Sequence, residues 1–157
     1  AFPHVTLGGW SAGCAAIRTI LRHPPSYQRI GAVLCIDGMH SGYTNGKPGP
    51  LESSIESEPL AIWRQLARDA ITRRKRFLLT HSEIFPGTFA STTETADWLL
   101  TQLGARAKPI LRWGPMGTQQ LSEFKSGHFD LRGYAGNSAP DHVDQLHSLP
   151  AYLRALR

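Results

Sequence analysis

His4-Val5-Thr6-Leu7-Gly8-Gly9-Trp10-Ser11-Ala12-Gly13 joins a short, apolar, β-branched run to a G-x-S-x-G pattern. The run reads as a buried strand ending in a tight turn. Beyond it, Ala15, Ala16, Ile17, Ile20 and Leu21 recur at helical spacing over Ala12 to Arg22, and His23-Pro24-Pro25 stops the pattern. Strand, serine turn and helix therefore follow one another directly. In that context the serine occupies a sharp turn, its hydroxyl clear of the sheet, and Gly9 and Gly13 let strand and helix nearly touch. The plainer reading is a strand-to-helix turn with an N-capping serine.

Working outward, Ile30 to Ile36 is a near-continuous apolar run ending at Asp37-Gly38. Such a run suits a strand covered on both faces. His40 to Pro50 is rich in Gly, Ser, Asn and Pro and reads as a loop over the site or a mobile lid, the centre of a candidate lid or loop insertion at 38–57. Ser57-Glu58-Pro59 predicts a helix start, with Ile62, Trp63, Leu66, Ala67, Ala70 and Ile71 as its apolar stripe. Phe77 to Thr80 predicts a third strand. Ser91 and Glu94 have capping-box spacing ahead of Ala96, Leu99, Leu100 and Leu103. Ile110 to Trp113 and Phe129 to Tyr134 predict further strands, and the chain is helical from Asp141, with a restart near Pro150. Alternating strands and helices predict a single α/β domain over 1–157, a parallel sheet with helices on both faces. In such sheets function gathers at the carboxyl ends of the strands.

The composition is that of an ordinary globular domain: 157 residues, 41% hydrophobic and 18% charged. No apolar run approaches the roughly 18 residues that span a membrane. The chain opens on Ala1 and runs almost at once into what reads as a mid-domain strand, so upstream residues are expected to be missing, and whether they carry a targeting signal is left open. The formal charge is +5, and the densest basic cluster is Arg73-Arg74-Lys75-Arg76, with Arg68 just before it. Without interleaved aromatics or a nucleic-acid motif, that cluster reads as a solvated helix end. Cys14 and Cys35 fall in apolar segments outside any CxxC pair and read as buried free thiols.

The serine pattern in its strand–helix context makes Ser11 a candidate nucleophile, with the Ala12 N–H at a helix N-terminus as an oxyanion donor. The chain resembles the α/β-hydrolase superfamily from the nucleophile strand to the last helix, about half of a typical family domain. The resemblance implies that the N-terminal strands are supplied by upstream residues or a companion chain. It also implies a second oxyanion N–H on that missing part, and the chain order serine, acid, histidine. A serine hydroxyl needs a histidine to take its proton and an acid to hold that histidine. Of seven histidines, His4, His23 and His128 lie away from the strand ends that matter, and His40 and His81 come too early in the order. His142 follows the last strand, where the resemblance expects the base; His147 points to another face. For the acid, Asp37 and Glu83 both follow strands. Most of the superfamily uses the position after the third strand here, which lacks an Asp; Asp37, anchored at a strand end, is favoured for rigidity.

These expectations amount to a serine hydrolase acting on an acyl compound, most simply an ester, with no cofactor and no metal. Acyl transfer or amide cleavage on the same residues, or a binding module that keeps the fold without a working base, are the alternatives. A metal site finds little support: HExxH is absent, and His142 and His147 do not share a helical face.

Overall fold

The computed structural model describes residues 5–46, 48 and 54–156. His4 and residues 47 and 49–53 of the expected loop lie outside that range. Among the described residues six strands form one sheet: β1 (Val5–Trp10), β2 (Ile30–Ile36), β3 (Arg76–Ser82), β4 (Lys108–Trp113), β5 (Gln119–Ser126) and β6 (Phe129–Tyr134), in the order β1-β2-β3-β6-β5-β4. The helices are α1 (Gly13–Leu21), α2 (Pro24–Arg29), α3 (Ala61–Ile71), α4 (Thr92–Gln102), α5 (Ala139–His147) and α6 (Leu149–Leu156).

The sheet is mixed, which corrects the expected all-parallel arrangement. β1, β2, β3 and β6 run parallel, but β5 pairs antiparallel with both β4 and β6. The connections explain the change. Only Gly127 and His128 separate β5 from β6, and a two-residue loop makes a hairpin, not a crossover. Gly127 supplies the positive φ, 57°, that this turn needs. Proline also acts otherwise than expected at His23-Pro24-Pro25. It ends α1 but opens α2, where Pro24 sits in the first turn and its missing N–H costs nothing.

Helices cover both faces, and the strand residues alternate accordingly. Val33, Cys35, Phe77, Leu79, Phe129 and Leu131 pack under α1, α3 and α4. Ala32, Leu34, Ile36, Leu78 and Tyr134 face the other way and meet Tyr152 and Leu156 of α6. Trp63 stacks on Phe77 at 5.7 Å between centroids, and Phe77 on Phe129 at 5.2 Å, so one aromatic column ties α3 to β3 and β6. Among the described residues no helix is long and apolar enough to cross a membrane.

The basic cluster sits away from the carboxyl edge of the parallel strands. Arg73, Arg74, Lys75, Arg76 and His128 line a cavity with Thr6, Gly31 and Ala32, at the strands' amino ends. Part of its charge is structural: Arg74 pairs with Asp69, and the Lys75 ammonium donates to the carbonyls of Tyr27 and Ile30.

Candidate active site

Because β1, β2, β3 and β6 are parallel, the residues that leave them converge on one edge. Ser11 follows β1. Its φ of 52° lies in the left-handed region, and its N–H donates to Ile36 O at 3.0 Å, which fixes the turn to the end of β2. Asp37 follows β2 with a φ of 42°. Four described non-glycine residues have a positive φ, and two of them are Ser11 and Asp37. Such conformations cost about 1–3 kcal/mol each and persist where the surroundings over-determine them.

The close approach expected at the serine turn is present on one side. A side chain at Gly9 would put its Cβ 2.8 Å from Ile17 Cδ1 and 2.9 Å from the Gly13 carbonyl carbon. At Gly13 itself a Cβ would meet nothing within 4 Å among the described residues, so the tightness expected of that position is not found. The tighter constraint is one the sequence did not reveal. A Cβ at Gly38 would collide with Ser11 O and lie 2.8 Å from Ser11 N, so the chain leaving Asp37 packs directly on the serine turn.

Asp37 is 2% exposed, and its carboxylate accepts four hydrogen bonds. Oδ1 accepts from Ser82 N at 2.9 Å and Thr92 Oγ1 at 2.6 Å. Oδ2 accepts from Ser82 Oγ at 2.7 Å and from His142 Nδ1 at 2.7 Å. Its backbone N–H donates to Thr80 O at 3.0 Å. A buried carboxylate so supplied with donors has its polar atoms satisfied and is fixed in position. With Nδ1 as the donor, the neutral imidazole has its lone pair on Nε2.

His142 is held from three sides. Ser138 caps α5 and forms a capping box with Asp141, and His142 N donates to Ser138 O at 3.1 Å. The bonds from Ser138 and Asn137 hold the Asp141 carboxyl below its usual range. Trp10 Nε1 donates to His142 O at 2.9 Å, and the two rings lie 4.6 Å apart, tilted by 33°. Trp10 precedes Ser11 directly, so one residue ties the histidine to the serine turn.

Ser11, Asp37 and His142 line one cavity of about 300 Å³, with His40, Ile84, Pro86, Phe89 and Asn137 among its other walls. The Ser11 hydroxyl makes no hydrogen bond among the described residues, and neither does the Ala12 N–H. Asp37, not Glu83, carries the imidazole. Glu83 is exposed, and its backbone N–H donates to Gly136 O.

The remaining histidines divide clearly. His40 lines the cavity, edge-on to Phe89 at 5.0 Å, and its Nδ1 is buried without a partner. Burial lowers its pKa. His81 bonds Thr93 Oγ1 through Nδ1 at 2.9 Å, and burial pushes its pKa down to about 4, so it is neutral at pH 7. His23 bonds Ser26, and His147 lies 4.0 Å from Asp144 on the surface. Ser82, Thr92 and Trp10 were missed in the sequence. Ser82 had a signal, since it ends β3 at the functional edge. Thr92 was hidden by the capping box beside it.

Comparison with protein-family models, with curated proteins and with solved structures found no match.

Proposed function

We propose that the chain is part of an α/β-hydrolase-like serine hydrolase that cleaves an acyl bond, most simply an ester, through an acyl-enzyme on Ser11. The observation that carries this reading is the 2.7 Å bond from His142 Nδ1 to the buried Asp37 carboxylate, in a cavity that Ser11 also lines. His142 Nε2 takes the Ser11 proton as the hydroxyl attacks the carbonyl, then returns it to the leaving alcohol. Asp37 keeps the imidazole in the tautomer that can do so and stabilises the imidazolium. The Ala12 N–H donates to the oxyanion. The serine–imidazole contact closes in the substrate complex, as in other enzymes whose catalytic hydrogen bonds are long when empty. Ile84, Pro86 and Phe89 give the acyl group an apolar wall. Acyl transfer to another nucleophile would use the same groups with a different acceptor.

A fluorophosphonate probe tests the reading. Labelling at Ser11, lost in Ser11→Ala together with hydrolysis of an activated ester, is the expected result. An unlabelled, folded chain would make the protein a binding module, and ester hydrolysis retained within a few-fold by a folded Ser11→Ala variant would end the serine mechanism.

A further inference from the structure

Two thiols lie directly beneath the serine turn. Cys14 is in the first turn of α1, and Cys35 sits near the end of β2, in register with Gly9 of β1. Both are 0% exposed. Their Sγ atoms are 2.6 Å apart. Non-bonded heavy atoms settle at roughly 3.5–4 Å, whereas a sulfur–sulfur bond is about 2.05 Å. The pair therefore stands well inside contact distance. Cys14 Sγ is also 3.4 Å from Gly9 O, and a side chain at Gly38 would put its Cβ 2.7 Å from it, so the thiol sits in a tightly packed place.

We infer that Cys14 and Cys35 form an intramolecular disulfide that ties the start of α1, and with it the Ser11 turn, to the end of β2 that carries Asp37. In that reaction each thiol loses its proton and one sulfur–sulfur bond forms. The two electrons pass to a small-molecule disulfide such as glutathione disulfide, whose own bond breaks to release two thiols. Exchange needs a thiolate that can reach its partner. Here both sulfurs are sealed from solvent, and burial pushes the Cys35 thiol up. The bond accordingly forms while the chain folds, before α1 closes over β2. Once formed it is equally shielded from reductant. Such a cross-link is a structural staple rather than a surface redox switch.

The inference does not depend on the hydrolase reading, and neither does its test. The full chain is folded in a glutathione redox buffer, then denatured in excess iodoacetamide without reductant and weighed. The expected product is unalkylated, lighter than the dithiol by two hydrogens, and yields a cross-linked peptide pair containing Cys14 and Cys35. Dithiothreitol should leave the bond intact in the native protein and break it in denaturant. The bond would close a span of 21 residues, so reduction, or the Cys14→Ala, Cys35→Ala double variant, should lower the thermal midpoint by roughly 5–10 °C. Two alkylated cysteines after oxidative folding, a cross-link between copies, or a wild-type midpoint indifferent to reduction in denaturant would overturn the inference.

Discussion

Replacing Asp37 by Asn tests the site most sharply, because the surrounding donors dictate how the amide must lie. Oδ1 faces the Ser82 N–H, a backbone donor that cannot reverse its role. The amide oxygen must therefore stay at Oδ1, which places the NH2 at Oδ2, opposite Ser82 Oγ and His142 Nδ1. The serine hydroxyl can rotate and accept. The imidazole can accept only by moving its proton to Nε2, which leaves no lone pair toward Ser11. Serine proteases with the equivalent change lose about ten-thousand-fold in turnover, or about 5 kcal/mol of transition-state stabilisation. The fold should survive, since every buried donor keeps or exchanges a partner. The assay is steady-state hydrolysis of an activated ester, with circular dichroism to confirm the fold. Glu83→Gln, altering an exposed side chain, should stay within a few-fold of wild type. If Glu83→Gln costs more than Asp37→Asn, the wrong carboxylate has been assigned. If Asp37→Asn leaves turnover intact in a folded protein, the tautomer argument fails.

Two further predictions concern the scaffold. His81 has a folded-state pKa of about 4 against an ordinary 6.5, so between those values the unfolded chain binds more protons. Stability should then fall as pH drops through that window, by about 3 kcal/mol in all. Urea unfolding across the window checks this, and a His81→Gln variant with the same pH slope would refute it. Gly38→Ala should destabilise the protein by about 1–3 kcal/mol through overpacking against Ser11 and Cys14, and should slow fluorophosphonate labelling. Wild-type denaturation and labelling rates in that variant would show that the turn has slack.

Local chemistry made much of this legible in the sequence. The turn at Ser11 was readable because strand, small residues and helix follow without interruption. The capping box of Ser91 and Glu94 is formed as its spacing predicted. Asp37 was placed by its rigid strand end, and the structure puts it on His142. β5 was not legible. Gln119 to Ser126 is polar along most of its length, because it sits between two antiparallel neighbours and most of its residues are only half-buried. Its one signal, the Ser126-Gly127 turn, was weak beside the apolar runs of β2 and β3. Hidden too was the packing of Gly38 on Ser11, a contact between chain segments that no local pattern encodes.

The hydrogen bonds that hold His142 have a consequence for synthesis. They join it to Asp37, 105 positions earlier, and to Trp10, 132 positions earlier. On a ribosome the serine turn and its carboxylate are made first, and α5 is made only after all six strands. At roughly 5–20 residues per second, about 5–20 s separate Asp37 from His142. Throughout that interval Asp37 lacks His142, the imidazole it holds in the folded chain. The pairing of β6 with β3 is non-local, whereas β5 and β6 form a local hairpin, so the sheet edge on which α5 packs exists only once β6 has been made. The candidate site is thus completed only when the sheet is.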